Sequence, residues 1–173
     1  MKNLIYVLFA IMIYTAVNAQ SISVGPQLGL FKTVDADKVE LLPGGAVRIN
    51  FDKVSIEGAF YSKTEKYFNG EMVAKSNPVV ITGIFYVLPF VYGEFGIGWY
   101  NTKYDYSDSM AVAFGVKSET TKDKGYHLGA GAQLNVGPFL LTGDLRYVFL
   151  NSSSTVFVKS SYYTLVVGLM YKF

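Results

Sequence analysis

Arg48, Glu57, Glu94, His127, Asp144 and Arg146 are the residues of this sequence whose types and spacing have the most chemical potential. Two guanidiniums and three carboxylates can serve two ends. They can pair inside a closed interior, because an unpaired buried ion is very costly, or they can line a narrow polar path. Acyl-transfer chemistry would need a nucleophile beside a base. His127 is the only imidazole in the chain, and the position two residues on, which shares its face of a strand, is Gly129 rather than Ser. No catalytic residue is therefore expected, and His127 reads as a packed or rim residue. With one His and no Cys the chain cannot build a zinc site. No metal and no cofactor are expected. Asp35, Asp37 and Glu40 are acidic neighbours whose spacing fits no calcium loop, and they read as solvated surface.

The elements that must position these groups are strands. Eight alternating segments stand between turn signals, at residues 21–31, 44–51, 54–63, 77–88, 90–101, 124–136, 139–150 and 160–173. Tight turns at Asp52-Lys53, around Pro89 and at Gly137-Pro138 alternate with longer polar connections at 32–43, 64–76, 102–123 and 151–159. With both termini on one side, every tight turn falls on that side and every long loop on the other. Residues flanking a two-residue hairpin turn pair with each other and share a face. Counting outward from Asp52-Lys53 sets Arg48 opposite Glu57. Counting from Gly137-Pro138 sets Gln133 opposite Thr142, Gly131 opposite Asp144 and Gly129 opposite Arg146. Each hairpin thus has one apolar and one polar face. The segment 77–88 is apolar on both, and its orientation stays open.

A soluble barrel of lipocalin type would turn the apolar face inward; a membrane barrel would turn it out. Three features favour the second. The polar face carries Gly25, Gly29, Gly96, Gly98, Gly129, Gly131 and Gly168, which leave room for bulky neighbours in a narrow interior. The apolar face carries Phe60, Trp99, Tyr147 and Phe149 near strand ends, as an aromatic girdle does. Residues 162–173 place Leu165, Val167, Leu169, Tyr171 and Phe173 on one face. At the other end, residues 1–19 read as a secretory signal: Lys2, an apolar run over 4–17 and a small-residue site at Val17-Asn18-Ala19. That run is short of the ~20 residues a spanning helix needs. Beyond it no apolar stretch makes a membrane helix, so a membrane location requires a closed barrel. One domain over 20–173 is expected. The net charge of +2 gives no sign of a nucleic-acid partner.

The segments GEFGIGWY (93–100), GYHLGAGAQ (125–133) and DLRY (144–147), with the Phe173 ending, make the chain resemble small bacterial outer-membrane β-barrels. These are the broad family of OmpX-like, OmpW-like and OmpA-type barrels. The resemblance spans the whole of 20–173 and implies an all-β fold, an eight-stranded antiparallel transmembrane barrel with both termini periplasmic. It implies that Leu169, Tyr171 and Phe173 form a C-terminal assembly signal read by the barrel-assembly machinery. The implied partners are outer-membrane lipids including lipopolysaccharide, and an extracellular ligand or surface partner. The expected role is a non-enzymatic structural or surface-interaction barrel, its lumen plugged by Arg48, Glu57, Glu94, Asp144 and Arg146. The alternative is a narrow conduit for small or hydrophobic solutes, and a lipid A-modifying enzyme comes third. The loop 102–123 carries an apolar middle with Met110, Val112, Phe114 and Val116. It reads as a contact patch, as a strand extension with a free edge, or as an ordinary loop.

Overall fold

The computed structural model describes residues 21–33, 38–150 and 161–173. The expected signal segment, Asp35, Asp37 and all of the last long loop, 151–159, lie outside the described residues. Ten strand segments form one antiparallel sheet: β1 (Ser21–Thr33), β2 (Glu40–Asn50), β3 (Val54–Tyr61), β4 (Lys63–Tyr67), β5 (Met72–Ser76), β6 (Val79–Leu88), β7 (Val91–Tyr106), β8 (Ser118–Val136), β9 (Phe139–Leu150) and β10 (Tyr162–Lys172). The segments β3 and β4 are one barrel strand interrupted at Ser62. The segments β5 and β6 are another, interrupted where Pro78 has no N–H to give the ladder. Across those breaks Ser62 N still donates to the Pro43 carbonyl (2.9 Å) and Asn77 N to that of Asn101 (3.3 Å). Pairing of β1 with β10 and of β7 with β8 closes the sheet into an eight-stranded barrel.

The register is the one the hairpins dictate. Arg48 pairs with Glu57, and Phe51 N donates to the Val54 carbonyl across the Asp52-Lys53 turn. Gly129, Gly131 and Gln133 pair with Arg146, Asp144 and Thr142. Along most of the barrel strands burial alternates with period two: Arg48, Glu57, Glu94, Asp144 and Arg146 face in, with apolar residues such as Val166 and Met170 beside them, while Leu28, Leu145, Val167 and Phe95 face out. This arrangement is the inverse of a soluble barrel, and it leaves an outward apolar belt about ten residues tall on each strand. Aromatic rings edge the belt. Tyr147 packs on Phe149 and on Tyr163, both at 4.6 Å between centroids, and at the tight-turn end Tyr171 packs on Phe139 and Phe173. The segment that sequence left unoriented turns Val80, Thr82 and Ile84 inward and Val79, Ile81 and Phe85 outward.

Above the belt, β4, β5, β7 and β8 continue as a four-stranded extension. Most of the connection at 64–76 and half of that at 102–123 are therefore strand. Between β7 and β8 a short helix, α1 (Asp108–Phe114), begins with the Ser107 side chain accepting from Met110 N and ends on Gly115 at φ 73°, a left-handed cap that suits glycine. The extension has its own core of Tyr67, Met72, Ala74, Tyr104 and Tyr106, with Met110 packed against it.

Candidate functional site: a closed polar lumen

Five charged residues from four barrel strands meet in the lumen, because each sits at an inward position where the register brings it level with the next. Arg48 lies against Glu57, with Nη2 and Nε at 2.6 and 3.0 Å from Oε2, and it donates from Nη1 to Gln133 Oε1 at 3.3 Å. Its guanidinium also covers the Tyr92 ring at 5.5 Å. Arg146 is the hub. Its Nε and Nη2 take the two oxygens of Glu94 at 2.7 and 3.1 Å, Nη2 also reaches Glu57 Oε1 at 3.2 Å, and Nη1 donates to Tyr61. Asp144 Oδ2 stands 3.6 Å from Arg146 Nη2, inside ion-pair range but beyond hydrogen-bond length, while Oδ1 accepts from Tyr92 at 2.5 Å. Every member is buried, none more than 3 % exposed. At that depth each charge depends on its partners, because removing one strands the other as an uncompensated buried ion.

Two glycines make the room. A Cβ at Gly129 would stand 2.6 Å from both Glu94 Oε1 and the Leu145 carbonyl oxygen. One at Gly131 would stand 2.4 Å from the Tyr92 ring and 2.7 Å from Asp144 Oδ1. Of the glycines that sequence assigns to the polar face, Gly129 and Gly131 are thus the cross-strand complements of charged side chains, while Gly96 and Gly98 make room for His127 and Tyr100.

His127 lies inside the same lumen, its Nε2 3.0 Å from Thr82 Oγ1. It is packed, with its ring filling the space beside Gly96. Toward the long-loop end the lumen becomes more apolar: Leu42, Tyr61, Val80, Tyr100, Val148, Tyr162 and Val166, with His127, Arg146 and Thr164, line a cavity of about 20 Å³. At the other end a mouth of about 530 Å³, lined among others by Asn50, Asp52, Lys53, Gln133, Asn135 and Lys172, reaches inward as far as Gln133, to which Arg48 donates.

Three residues that sequence did not single out complete the closure. Tyr92 shares the polar face with Glu94 two positions on, a parity signal that was available. Lys63 and Glu65 form a second buried pair (2.8 Å) at the start of the extension, beyond Phe60, the last outward apolar residue of β3. The Lys63 ammonium lies over the rings of Tyr162 (4.1 Å) and Phe31 (4.9 Å). Burial pulls that ammonium below its ordinary value, and Glu65 beside it works against the shift. Thr33 donates to Glu65, as does Tyr67 (2.9 Å), whose phenol is pushed well up by burial and then by that carboxylate.

The other sequence-assigned residues fall elsewhere. Leu169, Tyr171 and Phe173 all face outward on the last strand, and Phe173 N donates to the Ile22 carbonyl at 2.8 Å. The stretch 110–116 divides: Met110 turns into the extension's core, while Val112 (86 % exposed) and Val116 face solvent. The Phe114 side chain lies outside what the structure describes.

Among solved structures the chain is similar to Ail, the attachment invasion locus protein of Yersinia pestis, with 22% identity, 88% of this chain and 97% of Ail covered, and a TM-score of 0.53. Ail has also been solved in complex with the heparin analogue sucrose octasulfate (19% identity, TM-score 0.53, with the same 88% and 97% covered). Neisserial surface protein A is similar at 12% identity, 88% and 96% covered, with a TM-score of 0.60. No protein-family model and no curated protein matches the chain. The fold is that of a small transmembrane β-barrel. At these identities the likeness concerns the fold and no particular ligand.

Proposed function

We propose that this chain is a non-enzymatic outer-membrane barrel whose lumen is sealed and whose work is done at the surface, on the extension and its helix. The observation that carries this reading is the continuous buried network Arg48–Glu57–Arg146–Glu94, capped by aromatic rings on one side. A polar channel needs hydrated charges, whereas these are spent on one another. The inverted faces and aromatic edges support an outer-membrane location with both termini periplasmic, reached by signal cleavage near Ala19 and assembly on the Leu169–Tyr171–Phe173 face. His127, held by Thr82 and without a nucleophile beside it, supports a non-enzymatic role. The sulfated sugar bound by Ail makes an extracellular anionic ligand a reasonable class of partner for the extension. The conduit reading survives only if the network opens.

The surface arm of this reading has a direct test, because the chain contains no cysteine. A Val112→Cys protein should react with a membrane-impermeant maleimide in intact cells, while Lys53→Cys, in a tight turn at the other end, should react only after lysis. The opposite pattern, or no labelling of either until lysis, would refute the proposed orientation.

A further inference from the structure

The mouth at the tight-turn end has an organised floor and hydrogen-bond donors that the barrel does not use. Arg48 sets the orientation of the Gln133 amide. A guanidinium accepts nothing, so only the carbonyl end of that amide can face it. Gln133 Oε1 accordingly takes Arg48 Nη1 at 3.3 Å and the Tyr86 hydroxyl at 3.1 Å. The nitrogen end is left toward the mouth that Gln133 lines, and among the described residues it donates to none. Asn50, by contrast, is spent: its amide donates to Ser21 and Ser23, and its carbonyl accepts from Ser55.

What stays unspent around the mouth is mostly donor. Asn135, two positions beyond Gln133 on the same face of β8, has no side-chain partner among the described residues. Among those residues, too, neither Lys172 of β10 nor Lys53 of the β2–β3 turn has a carboxylate within ion-pair distance. Asp52 also lines the mouth, but from that turn at its outer rim. Leu88, Pro89 and Leu140 give the same cup an apolar wall. A carboxylate is the group that takes an amide N–H and an ammonium together, and the apolar wall suits a hydrocarbon body beside it. At about 530 Å³ the mouth falls within the roughly 300–1,000 Å³ of small-molecule sites, which form among other places in the mouths of β-barrels. We infer that the tight-turn mouth binds a small organic acid with an apolar body. Its carboxylate sits on Gln133 Nε2 and Lys172, and its hydrocarbon part on Leu140 and the Leu88–Pro89 wall. A free acid and the C-terminal end of a short peptide share this chemistry. The periplasmic address of the site rests on the orientation proposed above; the binding itself does not.

The test is isothermal titration calorimetry of the protein in neutral phosphatidylcholine nanodiscs, with folding checked by heat-dependent gel migration. N-acetyl-leucine should bind saturably. N-acetyl-leucinamide, in which a carboxamide replaces the carboxylate, should bind at least about tenfold more weakly, the size of one hydrogen bond to a charged group. Lys172→Gln should lose a similar factor for the acid and nothing for the amide, while Lys172→Arg should bind like wild type. Lys122→Gln, on the outer face of the extension, should leave binding unchanged. An acetylated pentapeptide ending in the same leucine separates the two sources: tighter binding than N-acetyl-leucine assigns the site to peptide ends, and equal or weaker binding to free acids. The inference is overturned if neither acid binds saturably at millimolar concentration, if acid and amide bind equally, or if the folded Lys172→Gln protein binds the acid undiminished. The cysteine labelling above reports which side the mouth faces, and its failure would leave this binding result standing.

Discussion

Arg146→Ala should cost the folded barrel about 3–5 kcal/mol, the range for stripping one partner from a buried ion cluster. The loss is large because Arg146 is shared. It contacts Glu57, Glu94 and Asp144, so its removal leaves Arg48 as the one guanidinium among three buried carboxylates. Among the described residues, Glu94 receives both of its charge-assisted hydrogen bonds from this side chain. Arg146→Lys should recover only part of the loss, since an ammonium cannot reproduce the two-pronged contact. Urea unfolding in neutral phosphatidylcholine vesicles measures both. A loss below about 1 kcal/mol, the size expected of solvent-exposed pairs, would mean that the lumen is wet.

The Arg48–Glu57 pair gives the second large effect. Glu57→Ala alone should be destabilising by a similar amount, because Arg48 then keeps only Gln133 and the Tyr92 ring. Removing both partners should cost clearly less than the sum of the two single changes, with a coupling of about 1–3 kcal/mol. The double variant should still fall short of wild type, because Glu57 Oε1 also serves Arg146 at 3.2 Å. Strict additivity in the unfolding curves would show that the two side chains do not meet.

The parts legible in the sequence are those governed by period two and by short turns. Two hairpins, at Asp52-Lys53 and Gly137-Pro138, set the register that pairs Arg48 with Glu57 and lays Asp144 and Arg146 against glycines. Strand β6 resisted orientation for a physical reason. Its inward Val80 belongs to the apolar outer half of the lumen, so the polar-inside pattern lapses there. Strands outside the membrane need no apolar outer face, so the sequence offers an extension only as one of three readings of 102–123 and none for 64–76. Lys66, Lys75, Lys103 and Lys122 are the outward half of a regular alternation. Lys63 closes the expected segment 54–63 and Glu65 falls in the connection beyond it, so the two do not read as one strand face. Their pairing depends on Phe31 and Tyr162 from distant strands, which no local pattern reports.

Ion pairs and aromatic rings close the barrel from the Arg48 layer to the extension. The mouth of about 530 Å³ reaches in only to Gln133 and its donor Arg48. Beyond that layer lies a cavity of about 20 Å³, room for roughly one water. Single-channel recording of the purified, folded protein in a planar bilayer tests this most directly. A sealed lumen gives a trace no different from a protein-free bilayer across the voltage range. Stable, reproducible conductance steps from the wild-type protein would contradict it and make the lumen charges a path for ions.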